Sequence, residues 1–330
     1  MRRILVLLVL VGFGYWLISN KEDVQALVTG KSRFSVEKPV TEREPFIAES
    51  RELAAGFQPI LRPAAPSFYV PTAHASIILD ADSGDVLYEQ NAHEKRQIAS
   101  LTKLFTATIA VERIKNLDEL VTIDEESVYV PGTRIGCPRS GFCNGERLKE
   151  GEQVRARDLL KAALMNSAND AATALGKHMG GTQEGFADIM NARAKELGLE
   201  NSHFCTPSGL EPDGREAECY SSAYDVAKIT SEALKHKELW DIMRIEKEII
   251  YSADGKYAHE IFNTDQLLGQ LPNLIGTKTG FTPMAGYSLL AVASDQQRNH
   301  QVVAVVLDDQ YRWDSIRSMF DWSFQSYDWQ

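Results

Sequence analysis

The sequence predicts a mixed α/β (α+β) fold: an antiparallel sheet built from both chain ends, flanked by helices, with a mostly helical region inserted between its two halves. Three observations lead there. Strand-like runs around a turn signal occupy residues 75–89, apolar residues at helical spacing fill 159–233, and strand-like runs return beyond about 249. Strands, then helices, then strands is the order expected when one sheet closes around an insertion.

Ala75-Ser76-Ile77-Ile78-Leu79-Asp80 reads as a strand, Asp82-Ser83-Gly84-Asp85 as a turn and Val86-Leu87-Tyr88-Glu89 as a second strand, so the pair is a hairpin. An amphipathic run, 101–110, follows Ser100 and reads as a helix. Leu159, Leu160, Ala163 and Leu164 recur at helical spacing, then Ala171, Ala172 and Leu175. Met190, Ala194 and Leu197 mark a further helix, and Ala223, Val226, Ile229 and Ala233 another. Leu274–Lys278, Tyr287–Val292 and Gln301–Leu307 read as strands. Trp313, Ile316 and Phe320 share one face of a last helix, and no internal repeat is visible.

The 330 residues suffice for one large domain or two small ones. With 44% hydrophobic and 25% charged residues, disordered, collagen-like and coiled-coil chains are excluded. There are 46 acidic against 35 basic residues, a formal charge of −11, so a basic footprint for nucleic acid is absent. Charge is distributed unevenly. Arg2 and Arg3 precede fifteen uncharged, mostly apolar residues, Ile4 to Ile18. As a helix this run reaches only ~22 Å, short of a ~30 Å hydrocarbon core. Residues 1–20 therefore read as a signal anchor or a signal peptide, and either places the rest of the chain extracytoplasmically. Half of the 12 prolines fall between residues 39 and 71. Residues 21–73 read as a Pro-rich linker, and 74–330 as the folded domain.

An exported domain retains disulfides. Cys137 and Cys143 are six apart, and Cys205 and Cys219 fourteen apart, each pair in a turn-rich stretch. Those gaps do not fit the short C-x₂₋₄-C hooks of structural zinc. Local pairing 137–143 and 205–219 is the simplest of three possible pairings.

The seven histidines are scattered, and no H-E-x-x-H helix, nucleophile elbow or phosphate loop is present. No metal or cofactor is expected. Three short motifs remain. Ser100-Leu101-Thr102-Lys103 opens a helix, so hydroxyl and amine share a face, and a neutral amine is a base for a serine nucleophile. S-x-x-K alone is uninformative, since Ser35-Val36-Glu37-Lys38 matches it too. Ser167-Ala168-Asn169, the one S-x-N, interrupts two helical runs, where a hydroxyl and an amide can relay a proton and hold a substrate amide. Lys278-Thr279-Gly280, the one K-[ST]-G, ends a strand-like run. There a strand edge can pair with an extended peptide, and a positive charge can bind a carboxylate. Taken singly, each motif also fits a helix cap or a strand-end turn.

In the order S-x-x-K, S-x-N, K-T-G the three motifs resemble those of the penicillin-binding serine peptidases, specifically the low-molecular-mass D-alanyl-D-alanine carboxypeptidases. The resemblance spans about residues 74–325. It includes Leu79–Tyr88, Phe204-Cys205-Thr206-Pro207-Ser208-Gly209-Leu210, Ser221-Ser222-Ala223-Tyr224-Asp225 and Gly276–Thr282 with Ala285-Gly286-Tyr287. It implies a β-lactamase/transpeptidase-like fold and a peptidoglycan stem peptide ending in D-Ala-D-Ala as substrate. β-Lactams would be covalent inhibitors, and no cofactor is implied. Ser100 would be the nucleophile and Lys103 its base, with Ser167 and Asn169 assisting proton transfer and holding substrate. Lys278, Thr279, Gly280, Phe281 and Arg312 would form the substrate-binding side, and the N–H groups of Ser100 and Phe281 the oxyanion hole. The chain departs from the family pattern in several places. Ile98 stands where the family commonly has proline, no C-terminal β-domain follows, and the Cys137–Cys143 stretch looks like an insertion at the cleft rim. The membrane partner would be the N-terminal segment. A DD-endopeptidase acting with the same residues is the alternative. A β-lactamase or a non-catalytic sensor is less favoured, because no E-x-x-L-N glutamate lies between the second and third motifs and all motif residues are present.

Overall fold

The computed structural model describes residues 58–137, 143–297 and 299–330. The N-terminal apolar run lies outside them. Among the described residues, no helix is long and apolar enough to cross a membrane.

The first part contains β1 (Pro59–Leu61), β2 (Ala75–Asp80), β3 (Val86–Gln90), a 3-10 turn at Ala99–Leu101 and α1 (Thr102–Arg113). The insertion follows with β4 (Leu120–Thr122), α2 (Glu125–Tyr129), β5 (Gln153–Arg155), α3 (Ala156–Met165), α4 (Asn169–Gly180) and α5 (Gln183–Glu196). It continues through α6 (Ala223–Ala233), α7 (Lys237–Met243), β6 (Lys247–Tyr251) and β7 (Ala258–Phe262). The chain closes with β8 (Leu274–Thr282), β9 (Gly286–Ser294), β10 (Gln301–Leu307), α8 (Arg312–Ser326) and β11 (Tyr327–Trp329). Thr182 and Ser222 cap α5 and α6 by accepting the Gly185 and Asp225 N–H groups, which explains why those helices start there.

Five strands form an antiparallel sheet in the order β3-β2-β10-β9-β8. Its halves come from opposite ends of the described chain, as expected from the order of elements, and β10 joins them by pairing with β2 on one side and β9 on the other. β2 and β10 are buried throughout, which explains the apolar runs Ile77-Ile78-Leu79 and Val302–Leu307. Successive side chains still divide between two cores. Ile77, Leu79, Val303, Val305 and Leu307 pack toward the helical insertion, with Phe105, Leu160 and Trp240. Ile78, Val302, Ala304 and Val306 pack toward α8, against Ile316, Met319 and Phe320.

Three features differ from the sequence reading. Residues 58–73, assigned to the linker, pack on the domain: β1 pairs with β11, Val70 is buried and Phe68 stacks on Trp322. Proline content suggested a linker, but these prolines lie beside residues that fill the second core. Secondly, α1 begins at Thr102 behind a 3-10 turn, so Ser100 precedes the α-helix. Thirdly, β8 runs on to Thr282, so Lys278-Thr279-Gly280 lies within the strand and not at its end. The disulfides pair locally as expected, Cys137–Cys143 and Cys205–Cys219.

A buried ion pair fastens β7 to the 143–152 segment. His259 Nε2 lies 2.6 Å from Glu152 Oε1, and Nδ1 lies 3.0 Å from the Glu146 carbonyl. Both ring nitrogens face acceptors, so both donate and the ring is an imidazolium. Burial opposes that charge, but the bonds to Glu152 and Glu146 outweigh it and hold the ring's pKa above the ordinary 6.5. A folded value above the unfolded one means the pair's stabilisation is complete below about pH 6.5 and is lost as pH rises through the folded value. Glu152→Ala should lower stability by about 3–5 kcal/mol at pH 6, because it strands a buried cation. Urea midpoints at pH 6 and pH 9.5 check this, with a smaller wild-type-to-mutant gap expected at the higher pH.

Candidate active site

Ser100 is half-buried in the 3-10 turn, and Lys103 is fully buried one turn later. The turn is forced by Ala99, whose φ of +48° lies in the left-handed region that non-glycine residues avoid. Its carbonyl comes so close to Gly209 that a Cβ there would sit 2.0 Å from it, and Gly209 itself has φ +78°. Position 209 therefore admits only glycine.

The Lys103 amine has three oxygen neighbours at 2.7 Å: Ser100 Oγ, Asn169 Oδ1 and the Ser208 carbonyl. The Asn169 amide is oriented by its own Nδ2, which donates to the Pro131 carbonyl at 2.7 Å. Two of the three neighbours can only accept. A neutral amine therefore spends its two hydrogens on Asn169 and Ser208 and turns its lone pair to Ser100, the one neighbour with a proton to give. Burial, then the positive charge of Lys278, pushes the Lys103 pKa well below its ordinary value, against the pull of Asp170.

Ser167 sits between α3 and α4 with φ +56°, where a chain leaving a helix usually has glycine. Its hydroxyl accepts from Lys278 Nζ at 2.9 Å, and Lys278 also donates to the Thr279 carbonyl at 2.9 Å. Burial and the charge of Arg312 push Lys278 down to about 7. Asp170, pushed up to about 6 by burial, accepts the Ile135 and Ala171 N–H groups and so holds the 130–137 segment on α4.

β8 is the edge strand beside this cluster. Gly280 faces the Ile98 carbonyl so closely that a Cβ would meet it at 2.8 Å, which explains the glycine of the third motif. Arg312 is the first residue of α8 and donates to the Gly280 and Ser288 carbonyls at 3.1 and 3.2 Å. Ser100, Ser167, Thr279, Gly280, Phe281 and Arg312 line one cavity of about 380 Å³. Lys103, Asn169 and Lys278 lie buried behind it. All nine residues singled out from the sequence thus meet at one place.

The profile of the peptidase family described as D-alanyl-D-alanine carboxypeptidase matches residues 63–311. The chain belongs to that family. It is 35% identical to the D-alanyl-D-alanine carboxypeptidase DacC of Escherichia coli over 84% of this chain and 70% of the relative. It is 31% identical to DacF of Bacillus subtilis over 78% of this chain, spanning 63% of that relative's length. The crystal structure of a D-alanyl-D-alanine carboxypeptidase from Mycobacterium tuberculosis superposes with a TM-score of 0.70 at 28% identity, over 81% of this chain and 96% of that one. Two further members bear on activity. A D-alanyl-D-alanine endopeptidase of Escherichia coli is 28% identical over 71% of this chain and 70% of its own. Penicillin-binding protein D2 of Listeria monocytogenes, solved in its ampicillin-bound form, superposes with a TM-score of 0.65 at 29% identity, over 78% of this chain and all of that one. These neighbours share the transpeptidase-like fold expected from the motifs.

Sequence reasoning did not find Thr133, Asn166, Phe262, Asn263 and Thr264, which also line the cavity. Thr264 matters most, because its Oγ1 lies 3.0 Å from Thr279 Oγ1 and its N–H is held by the Met165 carbonyl. It follows a short hairpin with no motif of its own. Ser208 was noticed only as part of a family-like segment, and its backbone carbonyl carries no sequence signal at all.

The backbone at Ser167 yields a test. Ser167→Gly relieves the left-handed strain while Ser167→Ala keeps it, so the glycine variant should be more stable than the alanine variant by about 1 kcal/mol in urea unfolding. Both lose the hydroxyl.

Proposed function

We propose that this chain is a serine-type D-Ala-D-Ala carboxypeptidase that removes the terminal D-Ala from peptidoglycan stem peptides through an acyl-enzyme on Ser100. The observation that carries this reading is the Lys103 amine, 2.7 Å from Ser100 Oγ and oriented by two obligate acceptors. Lys103 takes the Ser100 proton as Oγ bonds to the carbonyl carbon between the two D-alanines. The N–H groups of Ser100 and Phe281 stabilise the oxyanion. The tetrahedral adduct collapses, the C–N bond breaks, and the departing D-Ala amine takes the proton from Lys103 through the Ser167 hydroxyl. Water then adds to the acyl carbon, giving a proton to Lys103 that returns to Ser100 as the ester breaks. Asn169 holds the amine and the substrate amide. Thr279 and Arg312 receive the terminal carboxylate, in the positive field of Lys278. β-Lactams, which mimic acyl-D-Ala-D-Ala, acylate Ser100 in the same way.

The work is extracytoplasmic, a reading supported by the two disulfides and by the cell-wall substrate of the family. The N-terminal apolar run serves as the membrane tether. The Cys137–Cys143 disulfide stiffens the rim, since Arg134 bridges Cys137 and the preceding residues hold Asn169. The endopeptidase relative favours a second reading, in which the same residues cut D-Ala–diaminopimelate cross-links.

D-Ala release from a soluble pentapeptide should fall at least about 10⁴-fold in Ser100→Ala, and fluorescent penicillin labelling should vanish with it. Unchanged release in the mutant would sink the assignment. Chromatography of products from cross-linked muropeptides separates the two peptidase readings. Lys278 loses its charge as pH rises through about 7, so carboxylate binding should weaken. KM for the free-acid pentapeptide should rise between pH 6.5 and 8.5, and KM for its C-terminal amide should not.

A further inference from the structure

A second concave site lies at the far end of the same sheet. Its volume is about 840 Å³, roughly twice that of the catalytic cavity. The rings of Phe324, Trp329 and His300 line it. Trp329 is locked in place: its indole N–H donates to Asp80 Oδ2 at 2.6 Å, and its ring stacks on His300 at 5.2 Å with 15° between planes. Gln297, Asp321 and Gln325 also line the groove, exposed and with no side-chain hydrogen bond among the described residues.

We infer that this groove binds an uncharged polysaccharide strand of N-acetylhexosamine units. Fixed aromatic rings offer the apolar surface on which the C–H face of a pyranose packs. Amide side chains match the N–H and C=O of an acetamido group, and a carboxylate accepts from sugar hydroxyls. Charge argues against an anionic polymer. Arg62, the one lysine or arginine among the described residues that line the groove, is spent on Asp328 through bonds at 3.0 and 2.6 Å, while Asp295 and Asp321 add negative charge.

Position supports the same ligand class. β8 runs from beside Asn273 at the groove to Thr279 in the catalytic cavity, six residues or ~20 Å of strand. α8 runs from Arg312 in the cavity to Phe324 in the groove, twelve residues or ~18 Å of helix. An extended five-residue peptide spans about 17 Å. The two sites are therefore spaced on the scale of the peptide that separates a scissile bond from a glycan strand. This last point rests on the proposed peptidoglycan substrate; the chemistry of the groove does not.

The test uses the full chain carrying Ser100→Ala, titrated with the β-1,4-linked tetramer of N-acetylglucosamine and followed by calorimetry and tryptophan fluorescence. Saturable binding is expected, weakened at least fivefold by Asp321→Ala and by Gln325→Ala, both surface changes that should leave the melting temperature unmoved. In the otherwise wild-type enzyme those variants should release D-Ala from soluble pentapeptide at the normal rate and from intact glycan-linked substrate at a reduced one. The inference is overturned by absence of saturable binding at millimolar tetramer, by equal binding in both variants, or by a lysine-rich peptide that binds the groove while the tetramer does not displace it. If the tetramer binds but no pentapeptide is turned over, the groove stands and the proposed function fails.

Discussion

A lysine amine buried with only neutral oxygens for contacts is the constraint on which the rest of this structure depends. Its charged form is costly there, so the fold selects the neutral one. That outcome requires three segments to converge on one nitrogen: the turn bearing Ser100, the start of α4 bearing Asn169, and the loop bearing Ser208. Each approach is secured by a further contact. Thr106 holds the Pro207 carbonyl, Pro131 holds the Asn169 amide, and Gly209 permits the Ala99 carbonyl to come within contact. The second lysine, behind Ser167, adds a repulsive charge that deepens the effect.

Two residues next to the chemistry break local backbone rules. Ala99 and Ser167 both adopt positive φ, a conformation that costs about 1–3 kcal/mol each when glycine is not used. In both cases the geometry has a purpose. Ala99 turns Ser100 toward the cavity ahead of α1, and Ser167 keeps a hydroxyl where a glycine would have none. Asn91 and Asp308 adopt positive φ as well, so this conformation is not restricted to the cavity.

Much of this was legible beforehand, for identifiable reasons. β2, β10 and α3 through α6 were visible because their burial is periodic, or continuous over a strand's length. The three motifs were visible because hydroxyl, amine and amide groups are named by the sequence. Backbone participants were not: the Ser208 carbonyl and the left-handed turn at Ala99 are properties of conformation. Thr264 was missed because only the tertiary fold brings it beside Thr279, fifteen residues on. The 58–73 segment was misassigned because proline content speaks of local stiffness, while the residues that dock it, Phe68 and Val70, are few.

The way the sheet is shared between the chain ends has a temporal consequence. In the chain, β2 and β3 precede their next sheet neighbour, β10, by some two hundred residues, and a two-stranded hairpin is marginal by itself in water. β10, at Gln301–Leu307, joins that hairpin to β9 and through it to β8. Contacts of such long sequence separation form slowly. Closure of the five-stranded sheet, with β8 at its edge, therefore waits on the pairing of β10 with β2.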